Sequence, residues 1–225
     1  MGKGLRRAPF STNQSPDTIR RDLRALLRET AQPVAVVTSL MPGHETHANN
    51  THTSRYHGAT LSSFSSIALD PHPLIAFSLR IPSRMATSLK SAQAAPPVAS
   101  HMVINILSAA QAAVAVRYSR PDLFLDPFVS TSYALTEEGL PVLTGSLGAL
   151  SCKLVAMSWP LHDLEALRTR GGMEEQPWEG DGVASELFIA QVTRVESLVP
   201  QEGRDSPSLS PLLYHRRGYT TTFMK

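Results

Sequence analysis

The stretch His57-Gly-Ala-Thr-Leu-Ser-Ser-Phe-Ser-Ser-Ile-Ala-Leu-Asp-Pro-His-Pro-Leu-Ile-Ala-Phe-Ser-Leu79 sets a dense group of small hydroxyl side chains between a glycine and an apolar run. Its alternation predicts one strand over Leu61 to Ile67 and another over Leu74 to Leu79, with Asp70-Pro71-His72-Pro73 as the turn between them. A hydroxyl-rich strand of this kind has two readings. One is an edge strand that is polar on its outer face. The other is a wall of a site for a flat anionic ligand. In that case Thr60, Ser62, Ser63, Ser65 and Ser66 offer donors, and Gly58 lets backbone approach closely. Side chains alternate along a strand, so only some of these hydroxyls converge on one ligand. The residues alone leave both readings open.

Outward from this stretch, the chain reads as short strands with helical decorations. Upstream, Ile19, Leu23, Leu26 and Leu27 recur at helical spacing, which predicts an amphipathic helix from Ser15 to Thr30. Ser15 or Asp17 is its N-cap, and Arg20, Arg21, Arg24 and Arg28 form a basic outer face. Pro33 ends the helix and Val34 to Ser39 follows as a β-branched strand. The polar segment 41–56 contains His44, His47 and His52, with His57 just beyond. Their spacing places no pair on one helical face and no carboxylates complete a ligand set, so a loop insertion is expected and no metal site.

Downstream, Met85, Leu89 and Ala92 share a face of a short helix around Leu89 to Gln93. Val103 to Leu107 is a strand leading to Ser108, the N-cap of a helix from Ala109 to about Tyr118. Residues 121–141 look irregular apart from a short strand near Val129 to Tyr133, and Leu147 to Met157 and Leu187 to Val195 are further strands. Between those last two lies a polar, glycine-containing loop, 164–185. The tail around Pro211 to Tyr219 is expected to pack on the barrel or on a partner subunit.

Seventeen prolines punctuate the 225 residues, which favours short strands over long helices. Lys and Arg total 21 against 19 Asp and Glu, so global charge points to neither nucleic acid nor membrane. Cys152 is the single cysteine; it excludes an intrachain disulfide, fits a reducing compartment, and reads as a small buried hydrophobe. The first residues are Arg- and Ser-containing and acid-free, a disordered tail or an organelle-targeting segment over 1–15, with a folded domain over 16–225. This places the chain in the cytoplasm or the mitochondrial matrix. Without a Gly-x-Gly-x-x-Gly after a strand, there is no simple argument for a Rossmann site. The fold class is mostly β, an antiparallel barrel with helical decorations.

The order Gly58, Thr60, Ser62-Ser63-Phe64, Ser66, Leu69-Asp70-Pro71 and Pro73 resembles the signature of the flavin reductase-like family of FMN-binding split barrels. Further likeness runs from about Ile19 to Tyr219 and includes Pro82-Ser83-Arg84, Asn105-Ile-Leu107 with Gln111, and Pro211-Leu-Leu-Tyr214 with Gly218 and Tyr219. The resemblance implies a Greek-key split barrel that binds FMN and passes a hydride from NADH or NADPH to flavin or a similar small acceptor, in a homodimer. The residues it assigns to FMN are Thr60, Ser62, Ser63, Phe64, Ser66, Ser83, Arg84, Thr87, Asn105 and Leu107. Because the flavin carries the hydride chemistry, no protein nucleophile is required.

Two departures stand out. Met85 replaces the threonine that relatives often place after Ser-Arg. Relatives with reductase activity commonly carry Gly-Asp-His before the late strand; here Leu161-His162-Asp163 precedes the insertion, and His162 is the nearest candidate. A flavin-binding module without turnover, or a subunit of a larger assembly, is the alternative.

Overall fold

A computed structural model describes residues 14–41, 55–95, 98–156, 158–168, 184–196 and 210–222. His44, His47, His52 and most of the 164–185 loop lie outside these residues. The elements run α1 (Pro16–Arg28), β1 (Gln32–Pro33), β2 (Ala35–Leu40), β3 (Tyr56–Leu61), β4 (Ser65–Ala68), β5 (Leu74–Ile81), α2 (Arg84–Ala94), β6 (Met102–Ile106) and α3 (Ala112–Ser119). They continue with β7 (Tyr133–Leu135), β8 (Pro141–Leu143), β9 (Gly148–Leu154), β10 (Trp159–Pro160), α4 (Leu164–Arg168), β11 (Ala184–Glu196), β12 (Leu213–His215) and β13 (Gly218–Thr220).

The main sheet is antiparallel throughout, in the order β3-β2-β6-β9-β11-β5-β4, with β10 also paired to β11. Its two edge strands, β3 and β4, are separated by only Ser62-Ser63-Phe64. Three residues reach roughly 10 Å, so the sheet must roll until its edges meet. The seam is closed by one hydroxyl. Ser63 Oγ accepts from Ser78 N at 2.9 Å and donates to Ser78 O at 3.1 Å, tying the end of β3 to β5. The result is the expected mostly β, half-open barrel.

This geometry corrects the single strand expected over Leu61 to Ile67. The chain pairs with β2 up to Leu61, breaks over 62–64, and pairs with β5 from Ser65. One strand cannot serve both partners, because they lie across the seam.

Alternation along β5 and β11 shows how the barrel fills. Ile75, Phe77 and Leu79 point inward from β5; Phe188 and Ala190 do so from β11, and Phe77 stacks on Phe188 at 5.5 Å between centroids. Helix α2 closes the interior with Met85, Ala86 and Leu89. It starts five residues earlier than Leu89, because Ser83 caps it by accepting from Ala86 N at 3.0 Å. Glu186 is a charged residue in an inward position of β11. It is held by Lys90 Nζ of α2 at 2.7 Å and by Ser158 Oγ at 3.2 Å, so the buried carboxylate is paired.

A second cluster lies outside the barrel, where Val34, Val36 and Leu107 meet Ala115 and Tyr118 of α3, Phe128, Leu143 and Leu212. Ser108 and Gln111 form a capping box ahead of α3, as the position of Ser108 implied. The irregular 121–141 segment contains a 3-10 turn at Pro127–Ser130, and its strand is displaced to Tyr133–Leu135, where it pairs with β8. The C-terminal tail does pack on the barrel: β12 and β13 form a hairpin, and β12 pairs with β1. Cys152 is buried, and burial pushes its thiol up to about 12.

Helix α1 begins as its sequence implies, with Ser15 as N-cap and Pro16 in the first turn. It then buries no residue at all. Its apolar stripe is bare, with exposure running from 47% at Leu27 to 65% at Leu26. Among the described residues it is tied down at its C-terminal end, where Arg216 Nε donates to Glu29 Oε2 at 2.9 Å and Arg216 N donates to Arg28 O.

Candidate functional site

An open cleft of ≈ 870 Å³ runs along the seam of the barrel. That volume lies toward the upper end of small-molecule sites. One wall is β3, the 62–63 turn, the end of β5 and the start of α2; the other is the end of α3 with the C-terminal hairpin.

The end nearest α2 is cationic. Pro82 follows β5, Ser83 caps the helix, and Arg84 opens it with no acidic residue in the first turn. Arg80 and Arg84 are both exposed and line this end. Ser83 Oγ accepts its capping bond and keeps its own proton to donate. First-turn backbone N–H groups, a helix dipole, a hydroxyl and guanidinium groups make a donor set that fits a phosphate dianion. His57, on β3, also lines this end; burial first, and then Arg84, hold its imidazole below its ordinary value of 6.5.

The middle carries the hydroxyl stretch. Thr60, Ser62 and Ser63 line the cleft as the sequence implied. Their chemistry differs. Thr60 Oγ1 donates to Ala115 O at 2.7 Å, which ties β3 to α3. Ser63 is used in closing the seam. Ser62 is exposed and makes no side-chain hydrogen bond among the described residues. Ser62 is thus the hydroxyl of the three most available to a ligand.

The wall opposite β3 is aromatic. Tyr118 lies against Gly58 so closely that a Cβ there would sit 2.4 Å from its ring. The glycine therefore admits Tyr118, where the sequence reading gave it to a ligand. Tyr214 and Tyr219 of the hairpin meet edge to face at 5.5 Å, and Ser119 and Asp122 face the same space. Burial raises the Tyr219 phenol, opposed by a hydrogen bond to Ser119.

Other predicted site residues lie elsewhere. Phe64 packs at the edge of the barrel core, and Ser66 is exposed on β4, across the seam. Thr87 lines a smaller neighbouring recess of ≈ 380 Å³ that shares Ser83 and Arg84, with its hydroxyl donating to Ser83 O. Asn105 is fully buried: its amide donates to Val36 O and Thr38 Oγ1, and its carbonyl accepts from Leu143 N at 2.8 Å. Leu107 is sealed in the outer cluster. Both look like site residues in sequence, yet they hold strands together. Met85 lines the cleft but turns its side chain into the barrel core, so it offers no side-chain donor where relatives often place a threonine hydroxyl. His162 follows β10, is half-buried, and does not line the cleft.

His57, Tyr118, Tyr214, Tyr219 and Asp122 also line the cleft, and the sequence reading assigns none of them to it. In sequence His57 is one of a run of loop histidines, and only the strand register that pairs it with Ser39 sets it apart. Tyr214 and Tyr219 fall in the C-terminal stretch that resembles the family, to which the resemblance attaches no ligand role, and Tyr118 carries no local signal. Among the described residues, no group of three or more His, Cys, Asp or Glu is placed to hold a metal ion.

Residues 27–222 match the flavin reductase like domain. The chain is 32% identical over 101 residues to the FMN reductase (NADH) SmoA of Agrobacterium fabrum, over 44% of this chain and 51% of that protein. It is 29% identical over 131 residues to a flavin reductase of Pseudomonas putida, over 58% of this chain and 65% of that one. The matches thus span between half and two thirds of the length of these curated relatives. Among solved structures, a nitrilotriacetate monooxygenase component B from Mycobacterium thermoresistibile superposes with a TM-score of 0.63 at 21% identity, covering 93% of this chain and 89% of that one. The styrene monooxygenase flavin reductase of Pseudomonas putida S12 does so with 0.60 at 22%, covering 90% and 99%. These likenesses establish the shared split-barrel fold. With the family match running from Leu27 to Thr222 and the seam cleft built from the residues that carry its signature, the chain belongs to the flavin reductase-like domain family.

Proposed function

We propose that this protein is an FMN-binding oxidoreductase that passes a hydride from NADH or NADPH to flavin or a similar small acceptor. The observation that carries the reading is the joining, in one cleft, of the signature turn at Ser62 and Ser63 with the cationic start of α2. Ser83, Arg84 and the first-turn N–H groups of α2 would hold the FMN phosphate, and Ser62 with the β3 backbone would meet the ring edge. Bound flavin supplies the hydride-accepting ring. The protein's share is to fix ring positions and narrow the access of water.

The names of the relatives support the same reading, since one is an NADH-dependent FMN reductase and another a flavin reductase. The test is purification, mass identification of any released chromophore, and anaerobic titration with each nucleotide. Co-purified FMN that bleaches marks a held cofactor; bleaching only of added flavin marks a substrate. Flavin that binds and is reduced by neither nucleotide refutes the oxidoreductase and selects a binding module without turnover. Met85 inside the barrel and His162 outside the cleft are the observations behind that second reading.

We also read residues 16–225 as one domain that works as a homodimer. A 13-residue helix is marginal alone in water, and α1 buries no residue against the described part of its own chain. A second copy is the partner that would cover its bare Ile19, Leu23, Leu26 and Leu27 stripe. No helix among the described residues is long and apolar enough to cross a membrane. The lone buried thiol fits the reducing cytoplasm or mitochondrial matrix.

A further inference from the structure

Side chains alternate along β3, and its two faces have different tasks. Gly58 and Thr60 face α3, against the Tyr118 ring and the Ala115 carbonyl. Ala59 and Leu61 pack in the barrel core, which puts His57 on their face of the strand, the one that α2 closes. Its imidazole is half-buried and lines the cleft together with Ser83 and Arg84. It makes no hydrogen bond among the described residues, and its ring nitrogens are not sealed, so they open to the cleft.

The surroundings of this ring are basic. β2, paired beside it, has no titratable residue over Ala35–Leu40. α2 brings Arg84 and Lys90, and Lys90 is paired with Glu186. Arg80 of β5, Tyr118 of α3, Asp122 and the hairpin phenols of Tyr214 and Tyr219 complete the titratable lining of the cleft. The Asp122 carboxylate is taken up by Arg120, whose Nε donates to Oδ1 at 2.9 Å and whose Nη2 donates to Oδ2 at 2.7 Å. Among the described residues, therefore, an unpartnered imidazole shares the cleft with two arginines and with no free carboxylate. A bound phosphate is the acidic counterpart such a ring lacks.

We propose that His57 is the proton-taking member of the phosphate seat: with Ser83 and Arg84 it binds a phosphate monoester together with a proton, so the cleft's preference for phosphorylated flavin strengthens as pH falls toward neutrality. The inference rests on the phosphate seat of the reading above. Without ligand, burial and then the Arg84 charge hold the imidazole neutral. A phosphate dianion offsets Arg84 and sets opposite charge beside the ring. The ring then takes a proton from solvent and donates an N–H to a phosphate oxygen. The extra affinity is present at low pH and is lost as pH rises through the value of the liganded imidazole.

The test is calorimetric titration of the full chain with FMN at about pH 7, where a phosphate monoester, with a second pKa of about 6, is already mostly dianionic. Repeating it in buffers of different ionisation enthalpy counts the protons. Uptake of roughly half a proton is expected, and the Kd for FMN should tighten roughly fivefold from about pH 8 to about pH 6.5. Riboflavin, which has no phosphate, should bind without uptake and without that change. His57→Gln keeps a hydrogen-bonding group, and it should bind FMN with no uptake and nearly the same Kd at both pH values. FMN bound without proton uptake, equal uptake with riboflavin, or uptake that persists in His57→Gln overturns the inference and leaves the flavin reading intact. If His57→Gln does not fold, the His57 imidazole is titrated by NMR in the parent with and without FMN, and an unmoved midpoint overturns the inference. Glycerol 3-phosphate separates the two readings: its binding with proton uptake, in a protein that does not bind FMN, sinks the flavin reading and supports the seat. A protein that binds neither overturns both.

Discussion

Replacing Gly58 by alanine adds one methyl group to β3, and the structure fixes both the sign and the size of the effect. The backbone at Gly58 is not in the left-handed region, so alanine is conformationally acceptable there. On entropy alone the substitution would stabilise the protein by roughly 0.4–1 kcal/mol. The new Cβ, however, would lie 2.4 Å from both Cδ1 and Cε1 of Tyr118. Carbon contacts are favourable near about 3.5–4.0 Å, so ring and strand must part by roughly 1 Å.

Neither has room. Tyr118 meets Phe128 edge-on at 5.2 Å, and Phe128 is held in turn by Tyr56 at 5.6 Å and Tyr133 at 5.5 Å. Behind Gly58, the same Cβ is already in contact with Val37 O at 3.5 Å, and β3 is paired to β2 along its length. Overpacking of this kind costs about 1–3 kcal/mol. In a chain of this size about 2 kcal/mol is a fall in Tm of about 4–8 °C. Thermal melts followed by circular dichroism read the shift. In a Tyr118→Ala background the methyl has space, so Gly58→Ala should there cost nothing or stabilise slightly, and the double-mutant cycle should return most of the penalty as coupling. A Gly58→Ala protein that melts at or above the parent's temperature, or a cycle with no coupling, refutes the packing of Tyr118 on β3.

Arg84→Ala should weaken FMN binding by roughly tenfold to hundredfold through lost charge-assisted hydrogen bonds, while riboflavin, which lacks the phosphate, keeps its affinity. Fluorescence titration compares the two, and equal losses would place the phosphate elsewhere. Leu23→Asp combined with Leu26→Asp should turn a dimer into monomers on light scattering with little change in circular dichroism; a parent that is itself monomeric removes the reason for the bare stripe. His57 is held below its ordinary value of 6.5, chiefly by burial and then by Arg84, so the unfolded chain takes up its proton first. That stability is fully present above pH 6.5 and lost as pH falls below it. The melting temperature of His57→Gln should therefore fall less than the parent's between about pH 7.5 and about pH 5.5, and parallel curves would contradict the buried neutral imidazole.

Most of the strands and the first and third helices were legible because each carries its own pattern. Alternation marks β5 and β11, a serine cap marks α1, and Ser108 with Gln111 marks the start of α3. What failed locally was the stretch over Leu61 to Ile67. A period of two does not say that the partner strand changes midway, since that depends on the sheet rolling through seven strands. The bare face of α1 was equally hidden, because an amphipathic pattern reports that a helix wants a partner and not whether its own chain supplies one.

For the site, one wall could be read and the other could not. Thr60, Ser62, Ser63, Ser83 and Arg84 sit in two short segments whose residue types suit phosphate and ring edges, and all five line the cleft. Tyr118, Asp122, Tyr214 and Tyr219 reach it from segments distant in sequence, and nothing in their own neighbourhoods announces a ligand. Asn105 shows the opposite error. Its amide bonds three ways within the core, to Val36, Thr38 and Leu143, and a buried carboxamide doing this is chemically indistinguishable in sequence from one that meets a flavin. Ser63 resolves the ambiguity from which the signature stretch began. A small hydroxyl that donates and accepts at once suits an anionic ligand, and for the same reason it can splice two strands whose backbones are out of register for a ladder. Here it splices β3 to β5, and that splice sets the width of the seam in which the cleft opens. Its neighbour Ser62, with no such task among the described residues, is left facing the cleft. The hydroxyl cluster is therefore one device with two parts, a seam that shapes the site and a donor placed beside it.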